Sequence, residues 1–471
     1  MPAMPTLRWE TTVDASIDQV FAWHERPGAL QRLLPPWEPI RVRSITPASD
    51  SASLLAPGSR VELELTLPIP MRPRWVAEHT EYEPPIHFRD IARSGPFRHW
   101  EHRHRFEPTA DGTRVIDELD YELPLGRFGQ LADRAVRARL HRVFTYRHSQ
   151  LAADLAAHTR AAAAGCGKLR VAIAGAGGLI GSALSAFLSA GGHDVVHLVR
   201  RPPRHAQEIF WDPARGVLDP ADLAEVNAVV HLAGASIAGR WTRTRKRAMR
   251  SSRIAGTTLL AQALATLGAA RNDKPATLIC GSAIGYYGAQ RGDELLTGAS
   301  GPGEGFLADV VTEWERATQA ARTAGLRVVH VRTGVVQSPA GGALRAQLPL
   351  FRLGAGGRIG HGRQWVSWVG IDDAVGLLHH ALTTPSISGA MNATAPEPVR
   401  NRDYAATLAR VLGRPAFLPL PRWAAQLALT SAAADEMLMA SQRVKPQLAL
   451  ETGYIFRHPQ LQLALQHLLG R

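Results

Sequence analysis

Residues 168–201 read KLRVAIAGAGGLIGSALSAFLSAGGHDVVHLVRR, and their order decides the fold of most of the chain. A short apolar run rich in Val and Ile, residues 169–174, leads straight into Gly175-Ala176-Gly177-Gly178-Leu179-Ile180-Gly181 and then into an Ala/Leu pattern at helical spacing. That order predicts strand, glycine turn and helix, the layout that binds a dinucleotide pyrophosphate. Gly175 permits the tight turn, Gly178 leaves bare backbone for the pyrophosphate, and Gly181 lets the helix approach the strand. The free amides where the helix opens, at Leu179 and Ile180, would face the phosphates. A second strand, residues 194–199, ends where such folds present the residue that reads the adenosine ribose. Arg200 and Arg201 stand there in place of an acid. A guanidinium pairs with a 2′-phosphate, so the expected cofactor is NADP(H).

A glycine-rich loop alone would be weak evidence, since such loops serve many ends. Here a strand precedes it, a helix follows it and a second strand lies at the right distance. The 471 residues exceed one ordinary core, so two or three domains are expected. No apolar run is long enough to span a membrane and the first residues lack a signal-like apolar stretch, which makes a cytoplasmic protein the expectation. With only Cys166 and Cys280, neither a disulfide framework nor a thiolate metal site is expected. Acidic and basic residues balance over residues 1–160, so the whole net charge of +13 lies beyond them. Seven basic residues fall between Arg240 and Arg253. Without aromatic interleaving they read as a solvated helix face beside an anionic pocket, and no nucleic-acid partner is expected.

Upstream, the pattern changes. Residues 7–14 alternate as a strand does, Ser16 caps a short helix, and a second short helix runs up to Pro35-Pro36. Alternating strands fill residues 40–121, with Asp111-Gly112 as a tight hairpin. A long helix is expected from about residue 127 to 163, with Leu131, Ala135, Leu140, Val143, Phe144 and Leu151 on one side. Strand, two helices, antiparallel sheet and long helix describe a helix-grip fold with a cavity. This region resembles the SRPBCC superfamily of polyketide-cyclase and START-like domains, which implies an apolar cavity, with an apolar ligand as its candidate occupant. His102 and His104 share one face of their strand and His99 takes the other. They read as a polar sheet face, and no metal site is expected.

Beyond the linker AAAAGCG (161–167), strands alternate with helices, which means a parallel, doubly wound sheet. The strand AVVHL (228–232) runs into Ala233-Gly234, and ATLICG (276–281) runs into Ser282-Ala283-Ile284-Gly285-Tyr286-Tyr287-Gly288. Leu232, Ala233 and Gly234 would let backbone approach the cofactor. The stretches GAGGLIG, HLAGASIAGRWT, SSRIAGTTLL, GSAIGYYG, FLADVVTEWE, VRTGVV and WVSWVGIDD, with the tail from Val399, resemble the epimerase-family atypical short-chain dehydrogenase/reductases. That family implies an extended Rossmann fold ending in a small domain of unknown function. The expected domains are 1–160, 168–395 and a helical 396–471, the last covering the substrate side of the cleft.

The resemblance implies a Ser holding the substrate oxygen, and Ser282 matches it by position. It also implies Tyr and, four residues later, Lys, but the helix reading GFLADVV (305–311) contains neither. Val310 or Val311 stands where the Lys belongs. Tyr286 or Tyr287 could offer a phenol instead, although a phenol titrating at about 10 is a poor base without a cation. Arg253, in SSRI, is the candidate cation, with cofactor phosphate or solvent as the alternatives for its charge. In the loop WVSWVGIDD, Asp372 reads as a helix cap or a polar anchor. Two functions follow from these residues: an NADP(H)-dependent oxidoreductase or epimerase-like enzyme acting on a small carbonyl or hydroxyl substrate, or a non-catalytic NADP(H)-binding sensor or scaffold.

Overall fold

The computed structural model describes residues 6–49, 51, 53–66, 73–124, 126, 129, 131–268 and 276–471. The chain divides into two compact units, one built on Met1–Gly165 and one on Cys166–Ser185 with His193–Leu469. Among the described residues no helix is long and apolar enough to cross a membrane.

The first unit runs β1 (Thr6–Val13), α1 (Ile17–Glu25), α2 (Ala29–Leu33), β2 (Ile40–Thr46), β3 (Arg60–Leu65), β4 (Arg74–Glu83), β5 (His87–Ser94), β6 (His99–Thr109), β7 (Gly112–Glu122) and α3 (Asp133–Ala163). Ser16 caps α1 in a capping box with Gln19, each side chain meeting the other's backbone amide. The strands form one antiparallel sheet in the order β1-β7-β6-β5-β4-β3-β2. Its inner face and α3 enclose a cavity of about 590 Å³, walled by Leu33, Leu63, Trp75, Phe88, Trp100 and Phe144 among others. The expected first turn of the long helix falls partly outside the described residues. Leu131 is exposed, not part of the apolar stripe, because the helix begins only at Asp133. Leu140, Phe144 and Leu151 are buried as the spacing predicts.

In the second unit β8 (Arg170–Ala174), β9 (Asp194–Val199), β10 (Glu208–Phe210), β11 (Ala228–His231) and β12 (Thr277–Ala283) precede β13 (Gln290–Leu296). Then come β14 (Val328–Thr333), β15 (Val335–Gln337), β16 (Trp365–Val366), β17 (Trp368–Gly370), β18 (Gly389–Ala393), β19 (Val399–Arg400) and β20 (Ser441–Val444). Seven of them make a parallel sheet in the order β10-β9-β8-β11-β12-β14-β18. Strands buried on both faces must be apolar throughout, and Val171 to Ala174 and Val229 to Val230 are fully buried. Strand order reverses between β8 and β11, and ligands of such sheets bind outside the carboxyl ends of the strands at that point. The C-terminal residues join this unit through β20, which pairs with β13.

Candidate functional site

At the reversal the glycines have separate tasks. Gly175 ends β8 with φ of +88°, a left-handed conformation that favours glycine, and a Cβ there would come within 2.8 Å of the Ala233 nitrogen. The turns after β8 and β11 therefore touch. At Gly181, in the first turn of the helix Leu179–Ala190, a Cβ would sit 2.2 Å from the Gly175 oxygen, so this position sets how closely helix and strand pack. Gly177 has open space where a side chain would be. Leu179 and Ile180, half-buried, open the helix whose amides are free to meet an anion. This cradle fits a dinucleotide pyrophosphate. Leu232, Ala233 and Gly234 line the adjoining turn, with Gly234 exposed.

The two arginines after β9 part company. Arg201 is committed to Glu208, with Nη1 2.7 Å from Oε2, and this pairing holds the Glu208 carboxyl down to about 2. Arg200 is exposed and has no ion pair or hydrogen bond among the described residues. Of the expected pair of phosphate readers, only Arg200 is available without breaking another contact.

Arg253 goes to backbone, not to the tyrosines: its Nη1 donates to the Ala235 oxygen at 3.0 Å and to the Met249 oxygen at 2.9 Å. Its guanidinium lies 5.1 Å from the Trp314 ring centroid and next to Gly234. Burial lowers its pKa. The role this geometry assigns is to hold the turn after β11.

Ser282 lies at the end of β12, as its position in the sequence predicts, but its hydroxyl points inward and donates to Glu315 Oε1 at 2.7 Å. Glu315 is paired with Arg332 by two hydrogen bonds, Nε to Oε1 at 2.8 Å and Nη2 to Oε2 at 2.9 Å. Burial would raise the Glu315 carboxyl, yet Arg332 keeps it below the usual range. Arg332 Nη1 also donates to the Tyr287 hydroxyl at 3.1 Å, and the guanidinium covers the Tyr286 ring, 3.5 Å from its centroid. The cation beside the tyrosines is thus Arg332, on β14. Tyr287 is fully buried, and its hydroxyl donates to Asn392 Oδ1 at 2.6 Å. Burial raises its pKa while Arg332 opposes the rise. Tyr286 is the half-buried member of the pair.

Glu315 and Arg332 were legible only as charges inside the apolar stretches FLADVVTEWE and VRTGVV, where a buried charge requires a partner. Val310 and Val311, at the expected Lys position, are buried and apolar. The C-terminal strand β20 reaches the tyrosine loop, because Gln442 Nε2 donates to the Ile284 and Gly288 oxygens at 3.0 and 2.7 Å. Gly370, not Asp372, stands at the cap of the following helix, and Asp372 is buried. Its neighbour Asp373 is the anchor for the chain end, accepting from the Arg457 and His458 amides at 2.8 and 3.1 Å.

In the first unit, His102 and His104 lie on the inner face of β6 and line the cavity. The expected polar sheet face is buried rather than solvated, because Trp100 and Phe106 share its side and take it into the core.

Fold and glycine cradle define a dinucleotide-binding Rossmann protein. Residues 171–393 match the NAD dependent epimerase/dehydratase family, 420–468 match a domain of unknown function (DUF1731), and 4–156 match the family of polyketide cyclase/dehydrase and lipid transport proteins. Epimerase family protein Mb2239 of Mycobacterium bovis is 43% identical over 302 residues, 64% of this chain and 98% of that protein. The chain belongs to the epimerase family of NAD(P)-binding proteins. A solved structure described as the nucleoside-diphosphate sugar epimerase from Corynebacterium glutamicum is 33% identical, with a TM-score of 0.79, covering 98% of this chain and 90% of that one. The human epimerase family protein SDR39U1, solved with NADPH, is 34% identical with a TM-score of 0.58, over 64% of this chain and 99% of that chain.

Proposed function

We propose that the second unit is an NADP(H)-dependent oxidoreductase or epimerase-like enzyme acting on a small carbonyl or hydroxyl substrate, and that the cavity of the first unit holds an apolar ligand. Arg200 carries the choice of NADP(H): it is exposed and unpaired among the described residues at the end of β9. The NADPH in the human relative agrees with it. Gly175, Gly178 and Gly181 would hold the pyrophosphate, with the amides at Leu179 and Ile180 facing it and the turn Leu232-Ala233-Gly234 beside it. The bound nicotinamide supplies hydride transfer. Tyr286 is the accessible phenol for the accompanying proton, and the Arg332 guanidinium lies over its ring. Ser282 would act as a positioning residue, since its hydroxyl fixes Glu315, which orients Arg332. The Corynebacterium protein's description makes nucleoside-diphosphate sugars the first substrates to test.

NADPH consumption or product formation over a panel of carbonyls and nucleoside-diphosphate sugars, with bound nucleotide identified by mass spectrometry, tests the reading. Turnover is expected to be slow, because the buried Val310 and Val311 stand where a lysine would assist the phenol. Tyr286→Phe is expected to cost at least about tenfold in rate and leave NADPH affinity unchanged. Full turnover by Tyr286→Phe would remove the tyrosine from the mechanism. Sensor or scaffold function is the second reading, favoured by one observation: the hydroxyl of Ser282 is already bound by Glu315. NADPH binding without turnover on any member of the panel would support it.

A further inference from the structure

We propose that Asp90, His102 and His104 form a binding site for a divalent transition-metal ion of the zinc and cobalt class, set in the wall of the cavity of the first unit. Sheet register assembles the site from three strands. Asp90 on β5 is the cross-strand partner of His102 on β6, and His104, two residues on, is the partner of Asp117 on β7. A period of two sends His102 and His104 to the same face, and cross-strand neighbours share a face, so all four side chains converge. One donor atom each from Asp90, His102 and His104 lies within 4.8 Å of the others.

The spacing within the group fits an ion better than it fits a hydrogen bond. His102 Nδ1 stands 3.5 Å from Asp90 Oδ2, beyond the ordinary hydrogen-bond range. Donors at zinc bond lengths from a tetrahedral ion stand about 3.4 Å apart. Meanwhile the other side of the His102 imidazole is held as metal-ligating histidines are held, by the Asp117 carboxylate, which fixes ring orientation and tautomer, while His104 Nδ1 is buried without a hydrogen bond among the described residues. Asp117 Oδ1 lies 2.8 Å from His102 Nε2 and 2.8 Å from His104 Nδ1, and its Oδ2 takes His148 Nε2 at 2.6 Å. That leaves His102 Nδ1 and one nitrogen of the His104 imidazole as the ligating atoms.

Charge and access agree with the assignment. Asp117 is buried and Asp90 nearly so, and a divalent ion between them balances two carboxylates that otherwise lean on imidazoles. Three protein ligands leave at least one coordination position, as catalytic rather than structural sites do. All three residues line the cavity, so the open position faces the bound ligand. A carbonyl or carboxylate oxygen on an otherwise apolar molecule is the group such an ion would take.

The test uses the full chain, with any affinity tag removed and metal stripped by chelator, titrated with Zn²⁺ by calorimetry and with Co²⁺ by visible absorption. One equivalent is expected to bind, the cobalt form showing the intense d–d bands of low coordination number. Asp90→Asn and His104→Gln are each expected to weaken binding by more than about tenfold, and Asp117→Asn, acting through the imidazoles, by about 10–100-fold. His99→Gln, on the opposite face, is expected to bind as the parent does. Circular dichroism selects the variants that retain the fold, and competition between Co²⁺ and Zn²⁺ on the unmutated chain gives a reading that needs no variant. Absence of binding by the folded parent chain, or stoichiometric binding that survives both Asp90→Asn and His104→Gln, would overturn the proposal.

Discussion

Each unit buries a carboxylate, and the two are satisfied by different chemistry. Glu315 in the second unit is held by the guanidinium of Arg332, with Ser282 completing its contacts. Asp117 in the first unit is surrounded by the imidazoles of His102, His104 and His148. A guanidinium keeps its charge at any pH the fold survives, while an imidazole can shed its proton or exchange it for a metal ion. The first arrangement is therefore a fixed strut under the tyrosine loop. The second is built from groups that can change charge, and it lies in the wall of the cavity of the first unit.

Glu315→Gln should test that contrast most severely, because it strands Arg332, which is 4% exposed and unable to neutralise itself. The loss expected is about 3–5 kcal/mol, as for other buried pairs broken on one side. Asp117→Asn should cost less, about 1–3 kcal/mol, since His102, whose pKa Asp117 and Asp90 raise against its burial, can give up its extra proton to relieve the imbalance. Denaturant unfolding of both variants checks the order. Equal losses would mean that the imidazole cluster is as rigidly charged as the guanidinium pair.

Next in size is an effect of pH on the second unit, where the His231 imidazole is fully buried. Burial lowers the His231 imidazole from its ordinary 6.5 to about 4. Between those values the unfolded chain binds the proton and the folded chain does not, so this contribution is complete above pH 6.5 and is lost as pH falls toward 4. Its full size is roughly 3 kcal/mol. His231→Leu should flatten the stability profile across that window, as measured by denaturation at a series of pH values. A profile unchanged by the substitution would place the acid sensitivity elsewhere.

The smallest effect separates two surface arginines, one fixed by a carboxylate and one unpartnered among the described residues. Arg200→Ala should weaken NADPH by about tenfold or more and leave NADH almost unchanged, since charge-assisted contacts to phosphate are strong. Arg201→Ala should change the preference between the two nucleotides less, because its guanidinium is already engaged by Glu208. Fluorescence titration with both nucleotides measures each effect. Equal weakening of NADPH and NADH by Arg200→Ala would mean that this side chain does not read the 2′-phosphate.

What the sequence by itself determined is local or periodic. The apolar run, glycines and helix pattern of residues 168–190 specify strand, turn and helix because backbone conformation at Gly175 and close approach at Gly181 are properties of those positions. The family and both sheet types followed from motifs and from periods of two and 3.6. Partnership was decided only in three dimensions. Arg253 looked like the catalytic cation but lies within reach of the Ala235 and Met249 carbonyls, whereas Arg332, 45 positions after Tyr287 in the chain, sits beside it across the sheet. Arg200 and Arg201 are adjacent and chemically alike, yet only one has a carboxylate seven residues on to claim it. For His102 and His104 the period gave a shared face, while the register that brings Asp90 and Asp117 beside them decided that the face is a cluster. Side-chain chemistry is written in the chain, but which charges meet depends on strand order and register, and those are set by how whole apolar faces are buried together.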